Sequence, residues 1–265
     1  MNEVMELLLR RRSVRSYDKS PIADDAKDQI LAATMRAPTA GNMMLYSVIE
    51  VADQSAKETL ARTCDNQPFI ARAPLLLLFL ADYQRTYDYF VSKGVPEYCE
   101  RRGETMRTPQ EGDLMLACCD AVIAAHTAVI AAESLGIGSC YIGDIMENYE
   151  THRDLFALPE YAFPICLICF GYPKSSEENR PLTSRFARPF IAFRDRYRRL
   201  SESEFDEMYS AKQSKAAEIW SGPLPVPSVA QLMYERKFGS EFAAEMNRSV
   251  RAMLEAWSRR NPLSS

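Results

Sequence analysis

The stretch Asp113–Asp144, DLMLACCDAVIAAHTAVIAAESLGIGSCYIGD, decides how the rest of the chain is read. To Ser134 it is Ala-rich and largely apolar, with Asp120, His126 and Glu133 at roughly helical spacing. Gly136 and Gly138 then break the pattern, and Ser139 to Ile142 has the composition of a short strand. The apolar run approaches the about 20 residues that span a bilayer. Each ionisable group inside lipid, however, costs about 2–3 kcal/mol or more. The pattern therefore fits a soluble helix covered on most sides. One domain of this size hardly buries such a helix alone, so a partner subunit is expected; an ordinary core helix of a monomer is the alternative. Gly136 stands where a left-handed cap belongs, a conformation glycine takes without steric cost. The turn after Ile142 exposes the backbone N–H groups of Gly143 and Asp144, donors able to approach the edge of a flat ligand.

The chain has 265 residues, enough for one large domain or two small ones. Hydrophobic residues make up 47% and charged residues 26%, which suits a globular protein with a sizeable core. A net charge of -4 argues against a dedicated nucleic-acid binder. The opening MNEVMELLLRRRS lacks a signal peptide's order of basic, apolar and small residues, so a cytoplasmic location is expected. Of the seven cysteines, Cys118, Cys119, Cys166 and Cys169 lie in apolar runs and are expected to be buried free thiols. Cys166 and Cys169 form a CxxC, but within FPICLICFGY, a strand pattern that turns them to opposite faces. The two histidines, His126 and His152, are far apart, so neither a metal site nor a His-based triad is expected.

Upstream, Val4 to Leu9 has the pattern of a short amphipathic helix that runs into Arg10-Arg11-Arg12-Ser13-Val14-Arg15-Ser16-Tyr17. These cations suit a solvated helix C-terminus. Equally, the period changes to alternation after Arg12, which turns Arg11, Ser13 and Arg15 the same way as an anion cradle suited to phosphate. A helix is expected from Pro21 to about Arg36, followed by the tight loop Ala37-Pro38-Thr39-Ala40-Gly41-Asn42. Tyr46 to Val51 is expected as a strand, Ala56 to Cys64 as a helix, and LLLLFLA (Leu75–Ala81) as a buried strand. From Asp82 to Gly112 periodicity fails; the tyrosines there fit a lid over a planar ligand or local packing equally well.

Downstream of the central stretch, a short helix around His152 to Phe156 and a strand from Phe163 to Phe170 are expected. Lys174 to Asn179 reads as a polar loop, followed by Arg180, Arg185 and Arg188, then a strand-like Phe190–Phe193. Ser201 with Glu204 signals a capped helix to about Lys215. Gly222 to Pro227 reads as a linker and Ser240 to Trp257 as a terminal amphipathic helix.

Four separated segments together resemble the FMN-dependent nitroreductase family. RRSVRSY resembles its basic opening, APTAGNMMLY its flavin-covering loop, GIGSCYIGDI its turn after the central helix, and FGYPKSSEENRPLTSRF its late basic segment. The order and spacing match over nearly the whole chain. The resemblance implies an α+β sandwich, a mixed and mainly antiparallel sheet flanked by helices around a long central helix. It also implies a homodimer with FMN at the subunit interface, in accord with the partner expected for the central helix. Residues 1–200 are expected to form the FMN-binding domain, and 201–265 a helical extension of the same domain.

By the same resemblance, Arg11 and Ser13 hold the FMN phosphate, with Arg12 adding charge beside them. Arg15 stands near flavin N1 and O2, where charge develops on reduction. Pro38, Thr39, Ala40 and Asn42 belong to the loop that covers the flavin from the other subunit. Gln67 binds the ribityl chain or pyrimidine ring. Ile142, Gly143 and Asp144 form the turn whose amides face N5 and O4. Arg180 or Arg185 completes the phosphate site. The family's Gln-Pro-Trp is Met44-Leu45-Tyr46 here, which removes a polar group near the pocket. The implied activity is NAD(P)H-dependent hydride transfer through flavin N5, by a ping-pong scheme, to nitroaromatic, quinone or related small-molecule acceptors. No catalytic side chain is assigned; Tyr87 and Tyr98 are the acid–base candidates of the aromatic segment. Two competitors remain: the same fold and cofactor used for reductive dehalogenation or flavin breakdown, and a non-enzymatic protein whose Arg10–Arg15 segment binds nucleic acid or a phosphorylated partner.

Overall fold

A computed structural model describes residues 2–178, 180–220 and 226–258. Its sheet has four strands: β1 (Tyr46–Glu50), β2 (Leu75–Asp82), β3 (Gly138–Ile142) and β4 (Ala162–Gly171). They lie in the order β1-β2-β4-β3, every neighbouring pair antiparallel. The parallel element is the isolated bridge of Ser13 to Ser139, which lays the N-terminal arm along the outer edge of β3. An open strand edge is a template for unwanted pairing; here the chain's own arm covers it.

The helices in chain order are α1 (Glu3–Arg10), α2 (Asp24–Thr34), α3 (Gln54–Thr63), α4 (Gln84–Ser92), α5 (Val95–Glu100), α6 (Glu111–Ser134), α7 (Tyr149–Leu155), α8 (Ser175–Glu178), α9 (Glu202–Ile219), α10 (Val229–Met233) and α11 (Glu241–Ser258). Their ends follow local chemistry. Asn2 caps α1 by accepting the Met5 N–H at 2.9 Å, and Gln110 with Asp113 forms a capping box on α6. Gly136, at φ +74°, follows the end of α6 in the left-handed region. The Ser201–Glu204 box starts α9 as its sequence predicts.

The described residues up to Arg180, with those from Glu245 on, form one compact unit, and Pro181–Ala244 forms a second. In the first, β2 separates two cores. Leu75, Leu77 and Phe79 face Ala121, Ala124, Ala125, Ala128 and Ala132 of α6, while Leu76, Leu78 and Leu80 face Leu60 and Ile70 on the other side. That is the period-2 alternation of a strand buried on both faces. The same alternation puts Cys166 and Cys169 in different cores, as read from the CxxC. A third cluster closes one end, where Trp257 of α11 packs edge-on against Tyr161 and Phe163 and donates its indole N–H to Gln110 O at 2.9 Å.

By length and composition α6 could cross a membrane. Its alanine face is instead the floor of the sandwich, and a second face carrying Met115, Leu116, Val122 and Ile123 is exposed in the single chain. Cys119 lies on that exposed side and Cys118 is half-buried, so these two thiols are not core residues as expected.

Two further expectations are corrected. The segment 82–112 is not patternless: it holds α4 and α5, joined at Gly94 with φ +73°. No residue of either helix is fully buried, though α4 is amphipathic; both are short, and a helical period is read over windows of about 11 residues or more. Tyr87 packs edge-on against Tyr161 at 5.3 Å, whereas Tyr89 and Tyr98 are exposed. In the second unit, the strand expected at Phe190–Phe193 is a 3₁₀ turn, Arg188–Phe190; Pro189 has no N–H to give to a ladder. Of the linker expected at Gly222–Pro227, residues 222–225 lie outside the described part.

Candidate functional site

The arm after α1 is built by alternation. Val14 is 4% exposed and points into the core, so Ser13 and Arg15 turn away from it. The Val14 N–H donates to Ser139 O at 2.9 Å, fixing the arm's register on β3. Gly138 permits the close approach, because a Cβ there would lie 2.5 Å from Cγ2 of Val14. Tyr17 closes the arm with an antiparallel bridge to Pro173 and an O–H bond to Val14 O at 3.1 Å.

Charges gather around the arm's two ends. Arg180 donates to Ser13 O at 3.0 Å and pairs with Glu177 at 3.2 Å. Arg12 donates to Glu177 O at 3.2 Å and to Arg180 O, so its guanidinium is engaged with that backbone. Glu133 of α6 is pushed up in pKa by burial, and the charges of Arg11, Arg10 and Arg12 pull it back. Arg185 belongs to the second unit, where it donates to Thr183 O at 3.1 Å. Arg180, in the same unit as the arm, is a late arginine seen against it.

The turn Gly143–Met146 follows β3 as a short 3₁₀ segment. The first N–H groups of a helical turn have no acceptor inside it, and the space around the Gly143 Cα is open. Gln67 reaches this turn, donating to Asp144 Oδ2 at 2.9 Å and to Cys64 O at 3.0 Å. It is presented by a bend in which Asp65 and Asn66 both take positive φ, +56° and +49°. Arg15 lies over the Phe69 ring, 5.9 Å from its centroid. Cys140 on β3 senses both sides of the site. Burial raises its pKa, Arg15, the Ser13 side chain and Arg11 lower it, and Asp144 raises it. Arm, strand, turn and Gln67 therefore share one neighbourhood.

The loop with Pro38, Thr39, Ala40 and Asn42 is held elsewhere, on α6. Asp120, 2% exposed, accepts the Thr39 hydroxyl, the Ala40 N–H at 2.9 Å and the Leu45 N–H at 3.0 Å. Gly41, Asn42 and Met44 take positive φ, between +50° and +58°. Arg85 of α4 supports the loop's exit by donating to Met44 O and, at 3.1 Å, to Tyr46 O. The sequence shows Asp120 as an acid on an apolar helix; its role as the loop's anchor needs the fold, as do Phe69 beside Arg15 and Glu147 beneath the turn. Among the described residues no group of metal-ligating side chains assembles.

A sheet with a covered edge, a basic arm and an amide-presenting turn define a known class of fold. The structure aligns with B. megaterium NfrA2 at a TM-score of 0.79 and 26% identity, covering 97% of this chain and 98% of that one. With the hypothetical oxidoreductase YcnD from Bacillus subtilis the TM-score is 0.76 at 29% identity, over 97% and 98% of the two chains. Residues 8–172 match the nitroreductase family model, and the chain belongs to the nitroreductase family. Relatives include the FMN reductase [NAD(P)H] of Bacillus subtilis, 34% identical over 68% of this chain and 70% of the relative. The oxygen-insensitive NADPH nitroreductase of Salmonella typhimurium is 27% identical over 78% of this chain and 81% of its own.

Proposed function

We propose that this chain is an FMN-dependent NAD(P)H oxidoreductase of nitroreductase type, cytoplasmic and homodimeric, acting on nitroaromatic, quinone or related acceptors. The observation that carries this is the shared neighbourhood of the Arg11–Arg15 arm, the Gly143 turn and Gln67. The donor set suits FMN: guanidinium and hydroxyl groups for a phosphate at one end, backbone and amide donors for a flat, acceptor-rich rim at the other.

When bound, FMN would supply two-electron redox chemistry between NAD(P)H and an acceptor. The residues of the chain bind, orient and polarise. Arg11, Ser13 and Arg180 hold the phosphate through charge-assisted bonds, and Arg12 shapes the segment that carries Arg180. Gln67 fixes the ring by its pyrimidine side or the ribityl chain. Ile142, Gly143 and Asp144 would hold the flavin rim, the last two through their backbone N–H groups. Arg15, steadied by Phe69, sets positive charge where the ring gains negative charge. The Asp120-anchored loop of Pro38, Thr39, Ala40 and Asn42 covers the ring from a second copy. The exposed Met115–Ile123 face of α6, apolar and otherwise unexplained, supports that copy's presence.

The test is steady-state kinetics on the FMN-loaded protein with NADPH or NADH and a nitroaromatic acceptor. Parallel double-reciprocal lines, with bleaching of the flavin by NAD(P)H alone under anaerobic conditions, are expected. A protein that is colourless once free FMN has been removed by gel filtration, or whose flavin NAD(P)H leaves oxidised, contradicts the proposal.

A further inference from the structure

Glu147 closes the turn Gly143–Met146, and its surroundings are unfavourable for a carboxylate. It is 6% exposed, and its Oε1 has no hydrogen-bond partner among the described residues. Asp144 from the turn, Asp65 from the bend after α3 and Glu245 from α11 all act on it with like charge. Among the described residues no cation is seen acting on Glu147 itself. His152 of α7 is committed at both ring nitrogens, to Ile145 O at 2.8 Å and Thr63 Oγ1 at 2.7 Å, and burial holds its pKa down. Arg248 of α11 is taken up by Glu150 at 2.8 Å and Glu245 at 2.8 Å. Burial, with Asp144 and Glu147, pushes the Cys64 thiol up in pKa. Burial and the three acids push Glu147 up to about 7.

Asp144, the second residue of the turn, accepts from Gln67. A charge on Glu147, which caps the same turn and is out of water, acts strongly on whatever the turn faces. We propose that Glu147 is a tuning residue for that turn: it stays protonated in mildly acidic solution, releases its proton to solvent as the pH rises, and thereby makes the bound flavin harder to reduce. This rests on the assignment of the Gly143 turn to the flavin rim. It differs from that assignment in locating a charge switch on a side chain that does not touch the cofactor.

Two measurements test it, on wild type and Glu147→Gln, the variant that mimics the neutral form. The first follows the carboxyl by ¹³C NMR in FMN-free protein; a resonance that titrates near neutrality and vanishes in the variant is expected. The second measures the reduction potential of bound FMN by anaerobic dye-coupled reduction at about pH 6 and about pH 8.5. Wild type and variant are expected to agree at the lower pH, and the wild-type potential to fall more steeply towards the higher. A carboxyl already ionised at the lower pH overturns the protonation. Parallel potentials in the two proteins, with the carboxyl titrating, overturn the tuning alone and leave the assignment of the rim standing. Failure of both proteins to bind FMN overturns the assignment and the tuning together.

Discussion

Gly138 lies flush against Val14: a Cβ on the glycine would sit 2.5 Å from one Val14 methyl and 3.0 Å from the Val14 Cβ. Val14 separates Ser13 from Arg15, so this contact sets how closely the arm rests on β3. Gly138→Ala is expected to lift the arm. Overpacking of this kind costs about 1–3 kcal/mol, readable as a lowered urea midpoint. FMN affinity, followed by quenching of flavin fluorescence, is expected to fall with it; a folded variant that binds FMN as wild type does would separate the arm from the cofactor.

Asp120 satisfies three donors of the loop that follows Pro38. Asp120→Ala strands the Thr39 hydroxyl and the Ala40 and Leu45 N–H groups in a buried place. The expected loss is on the order of 3 kcal/mol in urea denaturation, since each unmade buried bond costs about 1–3 kcal/mol. The loop should also become the first site of limited proteolysis. An unchanged urea midpoint would show that water replaces the carboxylate without penalty.

Arg15 is held over Phe69 and beside Cys140, whereas it is Ser13 that takes a hydrogen bond from Arg180. Arg15→Ala is therefore expected to keep much of its FMN while reduction by NAD(P)H slows, as seen in anaerobic stopped-flow traces. A reduction rate equal to that of wild type would remove its electrostatic role.

Stability should depend on pH through two opposed carboxyl groups. Glu147 is raised from its ordinary 4.5 to about 7, so the folded protein binds more protons than the unfolded chain across that interval. Its contribution is therefore fully present below the unfolded value and is lost as pH rises to about 7. Glu150 is lowered to about 2 by its hydrogen bonds to Arg248, so its contribution disappears as pH falls from 4.5 towards that value. Glu147→Gln is expected to raise the melting temperature at about pH 8 relative to wild type, by an amount worth up to a few kcal/mol, and to change it little at about pH 5. The same difference at both values would mean that ionisation is not involved.

Much of this was legible before the fold. The alternation through Arg11, Ser13 and Arg15 is a period-2 signal, and the structure explains it with Val14 buried between them. The apolar helix ending at Gly136 was equally plain, because an alanine face and a glycine cap are local features. What escaped was carried by long-range contact or lacked a pattern. α4 and α5, of 9 and 6 residues, are too short for a helical period to stand out. Asp120 shows its partners only when the loop folds back onto the helix. Glu147 is perturbed by acids from three separate elements, which no window of sequence places together. Gly138 reads as a helix breaker in the sequence, and as a contact surface only once the arm is in place.

The most direct measurement is the affinity of FMN for the protein in which Arg11→Ala and Ser13→Ala are combined. Removing a charged hydrogen bond costs about 1.5–3 kcal/mol, and every 1.4 kcal/mol is about tenfold in Kd. Fluorescence titration of FMN into the FMN-free double variant is expected to show binding weakened by roughly tenfold or more, with the circular dichroism spectrum and oligomeric state of wild type retained. Equal affinity in the two folded proteins would contradict the assignment of the early arm to the cofactor phosphate.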